Sequence, residues 1–190
     1  MSLRLAWLRL QARGLLLLGK ADAARDRFAA LLRLSPDDRH ALASCAFLLA
    51  RDGDKAAAIG VLRDMVLRHP QHASGWFNLA YLLDEVRQDA HAEVAFRQAI
   101  AVNAAMDRAW YGLGLLLIRN GRLDEAAVAL RRNTELQPMS PFGWYQLARV
   151  EMDRQHAVEA RRILQHLRGF EPKVAAQLAR ELNMPASVIG

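Results

Sequence analysis

Cysteine is nearly missing from this sequence, where Cys45 is the single thiol in 190 residues. One thiol closes no internal disulfide and builds no multi-thiolate metal site, which fits a reducing compartment. Aromatic residues are scarce at 7%, and lysine supplies only Lys20, Lys55 and Lys173 of the 26 basic residues. The β-branched residues that favour strands are few, while alanine and leucine dominate the 53% of hydrophobic residues, so an all-α class is expected. No apolar run approaches the length that spans a bilayer. Near the start, the run Leu15 to Leu18 is preceded by Arg9 and Arg13, and no small-residue cleavage site follows a proper apolar segment, so residues 1–20 do not read as an export signal. A cytoplasmic chain without membrane insertion is the expectation.

The formal net charge is +6. A basic balance draws attention to nucleic acid and anionic surfaces. The arginines are nevertheless scattered among aspartate and glutamate, with Arg131-Arg132 and Arg161-Arg162 as the densest points. That scatter reads as solvated helix faces, and the excess of Arg, Ala and Leu reads as the coding bias of a GC-rich bacterial genome. Signatures of catalysis are missing as well. There is no glycine-rich phosphate loop, no nucleophile elbow and no His-Glu-x-x-His pattern. His69 and His72 flank Pro70 without a third ligand nearby, and the adjacent carboxylates Asp84 and Glu85 are expected to pair with Arg51 or Arg119. No enzyme, metal site or cofactor is expected.

What is present is a period. Pro36, Pro70, Pro138 and Pro172 fall on one 34-residue lattice, and Ala104 occupies its missing member. Registers 5–38, 39–72, 73–106, 107–140 and 141–174 then align far more than proline. The fourth position reads Leu8, Leu42, Trp76, Trp110, Trp144, and the eighth is always small: Ala12, Ala46, Ala80, Gly114, Ala148. The eleventh reads Leu15, Leu49, Leu83, Leu117, Glu151, and the twentieth is alanine throughout: Ala24, Ala58, Ala92, Ala126, Ala160. Positions 4, 7, 8 and 11 share one helical face, and positions 20, 24 and 27 share a face of a second helix. Small residues at 8 and 20 let the two backbones approach. Gly19, Gly53 and Gly121 recur where the chain reverses, and proline ends the second helix. Each repeat is thus an antiparallel helix pair with one face left for the next pair to cover.

Three departures carry expectations. The third repeat has Arg87 and Ala104 in place of both breakers, and the fifth has Gln155 for glycine and Glu151 at a core position, so the fifth is expected to be looser. The third position is small in later repeats (Ala41, Gly75, Ala109, Gly143) but is Trp7 in the first, which reads as the start of the array or, with Leu3 and Leu10, as a self-association patch. Residues 175–190 read as a capping helix and tail, with Lys173 to Asn183 amphipathic. The run Ala175 to Ser187 has a helix-turn-helix flavour, but only Val188, Ile189 and Gly190 remain for a recognition helix, too few to fill a major groove.

The pattern of Trp, Leu, small residue, Ala, Phe and Pro at these offsets resembles the tetratricopeptide repeat family, over about nine-tenths of the chain. The resemblance implies a right-handed superhelix of antiparallel helix pairs and a protein-interaction scaffold. It also implies that positions 2, 5, 9, 12 and 13 of each first helix line a concave groove. Carried over by register, that face holds Phe47, Phe77, Tyr81, Arg108, Tyr111, Arg119, Phe142, Tyr145 and Arg149, with Asn78 one step along from Phe77. Trp76, Trp110 and Trp144 are read as core. Phe77, Tyr111 and Tyr145 at the fifth position are expected to be open, and Phe47 and Tyr81 at the ninth to be partly packed. The two-carboxylate clamp by which some members grip chaperone tails is incomplete in every register, since only Asn78 and Arg108 match. The expected partner is a peptide segment with apolar or aromatic anchors. The alternatives are self-assembly through Trp7 or the groove, and a recruiting module of a larger enzyme. Nucleic acid is disfavoured because Asp84, Glu85 and Asp153 share the groove.

Overall fold

A computed structural model describes residues 3–182. The chain divides into two compact units, residues 1–102 and 103–190. The described residues of both are helices and short connections.

The first unit contains α1 (Leu3–Leu17), α2 (Ala21–Leu34), α3 (Arg39–Arg51), α4 (Lys55–Arg68), α5 (Ala73–Glu85) and α6 (Asp89–Val102). Each helix packs on the next in the chain, and the short connections turn successive helices antiparallel. The core begins where α1, α2 and α3 meet, at Ala12, Ala24, Phe28, Leu31, Ala41, Cys45 and Leu48. Burial raises the Cys45 thiol to about 11, so it behaves as a small hydrophobe. Three helix starts are fixed by side chains. The Asp38 carboxylate accepts from the Ala41 N–H at 2.9 Å, Asp54 from Ala57 at 3.0 Å, and the His72 Nδ1 from Gly75 at 3.0 Å. His72 is therefore a helix cap with a job in the neutral form. Burial, then the charges of Arg39 and His69, hold its pKa down.

The second unit contains α7 (Asp107–Arg119), α8 (Leu123–Leu136), α9 (Pro141–Asp153), α10 (Ala157–Phe170) and α11 (Pro172–Glu181). Neighbours in the chain pack on each other, and α11 lies on α10 with a smaller contact to α9. Close approach here depends on glycine. A Cβ on Gly114 would lie 2.8 Å from Leu130, and one on Gly143 would lie 2.2 Å from the Asn133 Oδ1. Asn133 is buried and its amide donates to the Asp107 carbonyl at 2.9 Å, so it cannot step aside without losing that bond.

Several expectations change at this point. Pro172 stands two residues past the end of α10, as Pro36, Pro70 and Pro138 stand past α2, α4 and α8, but it also opens α11 in the first turn, where its missing N–H leaves no orphan. The left-handed turn does not depend on glycine, because Arg87 (φ 61) and Gln155 (φ 64) adopt the same sign of φ as Gly19, Gly53 and Gly121. Glu151 is not left unsatisfied in the fifth repeat, although α9 and α10 meet less extensively than the helix pair of any other repeat. Its fully buried carboxylate accepts from Arg131 at 2.6 Å, Arg154 at 2.8 Å and the His156 Nδ1 at 2.9 Å. Burial alone would raise its pKa, but those hydrogen bonds and the two arginine charges outweigh it and hold the group below its ordinary value. The tail 183–190, and with it the end of the helix-turn-helix candidate, lies outside the described residues.

Candidate functional site

The fold places the aromatic residues of the first helices differently from their register. In the first unit, α3 presents Ala43, Ala46 and Ala50 as a low floor, with Phe47 standing from the same face. Facing it, α5 presents Asn78, Tyr81, Leu82 and Glu85, and together with Leu62 and Arg51 they enclose an open cleft of about 350 Å³. Phe47 is 64% exposed and Tyr81 52% exposed. The ninth position is thus more open than register suggested, and the alanines of α3 offer Tyr81 little to bury against. The charged rim is already paired. Glu85 meets Lys55 at 3.2 Å, and Arg51 meets Asp52 at 2.7 Å, neither being the partner that sequence spacing pointed to. Glu85 also accepts from the Tyr81 hydroxyl, which together with its charge raises the phenol pKa.

The fifth position is not open. Phe77 is half-buried and leans on the buried ring of Phe96, centroids 6.2 Å apart. In the second unit Tyr111 and Tyr145 are half-buried as well, and each hydroxyl is tied to the helix two along in the chain. Tyr111 is pushed up by burial and pulled back by a hydrogen bond with Gln146 of α9. Tyr145 donates to Glu181 of α11, which raises the phenol and lowers the carboxyl. These side chains bridge helices while keeping surface on a cleft. Around them Pro141, Phe142, Gln146 and Val174 complete an apolar cleft of about 280 Å³, to which α11 contributes Val174. Phe142 is exposed, and so are Arg108, Arg119 and Arg149.

Trp76, Trp110 and Trp144 are half-buried braces, not core. Each indole N–H donates to the carbonyl six residues earlier: Trp76 to Pro70 at 2.8 Å, Trp110 to Ala104 at 2.9 Å and Trp144 to Pro138 at 2.9 Å. The carbonyl accepts equally well whether or not its residue is proline, which explains why Ala104 is tolerated. The repeated spacing of six between tryptophan and the lattice position was the available signal for this bond.

Among the described residues no group of three or more His, Cys, Asp or Glu converges as a metal set, and no helix is long and apolar enough to cross a membrane.

With this geometry in place, the comparisons with known proteins fall in one direction. The sequence profile of the tetratricopeptide repeat matches residues 9–71 and 90–141, more than half of the chain. The chain belongs to the tetratricopeptide repeat (TPR) family. Anaphase-promoting complex subunit 3 of Schizosaccharomyces pombe is 37% identical over 67 residues, which is 33% of this chain; the chain spans only 10% of that subunit. Among solved structures, MamA (41-end) from Desulfovibrio magneticus RS-1 superposes with a TM-score of 0.77 at 20% identity, covering 95% of this chain and 98% of that one. YrrB superposes with a TM-score of 0.74 at 17% identity, covering 89% and 88%. At such identities the likeness establishes the TPR solenoid fold, which is that of a protein-interaction scaffold in general.

Proposed function

We propose that this TPR chain is a non-catalytic adaptor, and that its first unit seats a peptide segment of a partner protein in the cleft between α3 and α5. The exposure of Phe47 and Tyr81 carries this reading. Two large rings standing in water beside an alanine floor contribute little to folding, and aromatic anchors of this kind dominate protein-binding hot spots. Because Glu85 and Arg51 are already neutralised, the cleft favours an uncharged anchor, aliphatic or aromatic, with Asn78 placed to bond the peptide backbone. The cleft of Tyr111, Phe142 and Tyr145 offers the second unit a smaller apolar seat, with Arg108, Arg119 and Arg149 as exposed cations of that unit. YrrB is described as a TPR protein with an unusual peptide-binding site; the peptide reading for this chain rests on its own exposed rings.

The test is selection of displayed random peptides on the wild-type chain, followed by titration against Phe47→Ala/Tyr81→Ala. Selected peptides should share a bulky apolar residue. They should bind the double variant at least roughly thirtyfold more weakly, since one true anchor is worth about 2 kcal/mol or more. The melting temperature should not move. Equal binding to both proteins, or no enrichment at all, would sink the assignment. A concentration-dependent oligomer abolished by the same pair of changes would instead make the cleft a self-assembly surface.

A further inference from the structure

α1 is apolar on two sides, and only one of them is used. Leu5, Leu8, Ala12, Leu15 and Leu16 face the core with α2 and α3. On the opposite side Leu3, Trp7, Leu10, Gly14 and Leu17 follow at steps of four, three, four and three residues, which places them in one stripe along the helix. Leu3 is 90% exposed and Trp7 59%, and Leu10, Leu17 and Leu18 are exposed beside them. Nothing in the folding of the first unit needs these side chains outside.

The stripe is not shaped for another repeat. Trp7 holds the register of Ala41 and Gly75, both buried, and a Cβ on Gly75 would already lie within 3.5 Å of His72, Val66 and Met65. An indole at that place keeps a repeat helix from docking at the usual distance. The charges are one-sided. Arg4 borders the stripe on one flank and Arg13 on the other, Lys20 follows Leu18, and no acidic residue occurs before Asp22. Asp38 is engaged with Arg9, Asp37 with Arg68 and Asp22 with Arg25. Two such helices face to face would set arginine against arginine, which disfavours a second copy as the occupant.

A protruding apolar ridge with tryptophan and leucine at its crest and cations on both borders matches the chemistry of a helix that lies in a bilayer interface. We infer that α1 docks the protein on an anionic lipid surface. Leu3, Trp7, Leu10, Leu17 and Leu18 enter the boundary between headgroups and acyl chains, while Arg4 and Lys20 meet lipid phosphates and Arg13 stays on His40 of α3. This is a requirement of one exposed face, distinct from the long apolar helix needed to cross a membrane.

Flotation of the full chain with vesicles tests it. Binding is expected to vesicles of phosphatidylglycerol and phosphatidylcholine at low salt, and not to phosphatidylcholine alone. Trp7→Ser/Leu10→Ser should reduce partitioning at least roughly tenfold. Arg4→Gln/Lys20→Gln should reduce it by roughly fivefold per charge. Both variants alter exposed side chains, so their melting temperatures should match wild type. Failure of the wild type to float with anionic vesicles overturns the inference, as does equal flotation of Trp7→Ser/Leu10→Ser. A wild-type dimer that becomes a monomer in that variant, with vesicles ignored throughout, would assign the stripe to self-association instead.

Discussion

In the first unit Phe47 and Tyr81 stand in water beside an alanine-floored cleft, whereas in the second Tyr111 and Tyr145 commit their hydroxyls to the neighbouring helices at Gln146 and Glu181. All four rings belong to the face that the repeat register assigns to ligands. The difference shows that a register names a face but not its use. A ring at the ninth position is free when small residues oppose it, and a tyrosine at the fifth becomes a strut when the helix two along supplies an amide or a carboxylate. Among the described residues the two units also bury one carboxylate each. Asp38 caps α3 and is held by Arg9, whereas Glu151 lies inside α9 where the other four repeats have leucine, held by three cationic or polar partners.

The largest effect should come from that second carboxylate. Glu151→Ala removes three hydrogen bonds and opens a cavity, and should cost about 3 kcal/mol in urea melts. Glu151→Leu, which restores the residue of the other repeats, should recover most of it. If alanine and leucine behave alike, the loss comes from the network and not from the cavity. The same group sets an acid limit. Its pKa is lowered in the folded state, so its stabilisation is present above the ordinary value of 4.5 and is lost as pH falls through the lower folded value. Asp38 follows the same sign from its ordinary 3.8, giving the first unit its own acid sensitivity at lower pH. Wild type should therefore lose melting temperature below about pH 4.5, with the upper part of that loss removed in Glu151→Gln.

Glycine separates the units next. Gly143→Ala puts a Cβ 2.2 Å from the bonded Asn133 and should cost about 2–3 kcal/mol, against the helix preference for alanine. Gly75→Ala meets mainly the side-chain tips of Val66 and Met65 besides the His72 cap, and should cost clearly less. Equal losses would mean that the Asn133 bond is not what resists the change. Trp76→Phe and Trp110→Phe keep a ring and lose the N–H, and each should cost about 1 kcal/mol, alike at Pro70 and Ala104. A larger loss at Trp110 would show that the prolines stiffen the acceptor. Smallest, and of opposite sign, Arg87→Gly and Gln155→Gly relieve a left-handed backbone and should each gain up to about 1 kcal/mol, read as a rise in melting temperature.

Much of the fold was legible because it is periodic and local. Helices α3, α5, α7 and α9 begin at residues 39, 73, 107 and 141, a constant spacing that the proline and alanine lattice already displays. The site was legible only in part. Register brought Phe47, Asn78 and Tyr81 to one cleft and Tyr111, Phe142 and Tyr145 to another, but it ranked their exposure in reverse. Exposure depends on what stands opposite: the α3 alanines face Tyr81 of α5, and Gln146 of α9 ties down Tyr111 of α7.

The sequence by itself determined that the chain is helical, where it reverses, and which residues share a face, because these follow from spacing along one helix. Only tertiary structure decided that Glu151 is a satisfied buried charge, that the fifth-position tyrosines are struts, and that α1 keeps a second apolar face in solvent. Each of these rests on the identity of a side chain that another helix brings, or fails to bring, within about 4 Å, a distance at which hydrogen bonds and dispersion act and which no linear pattern encodes.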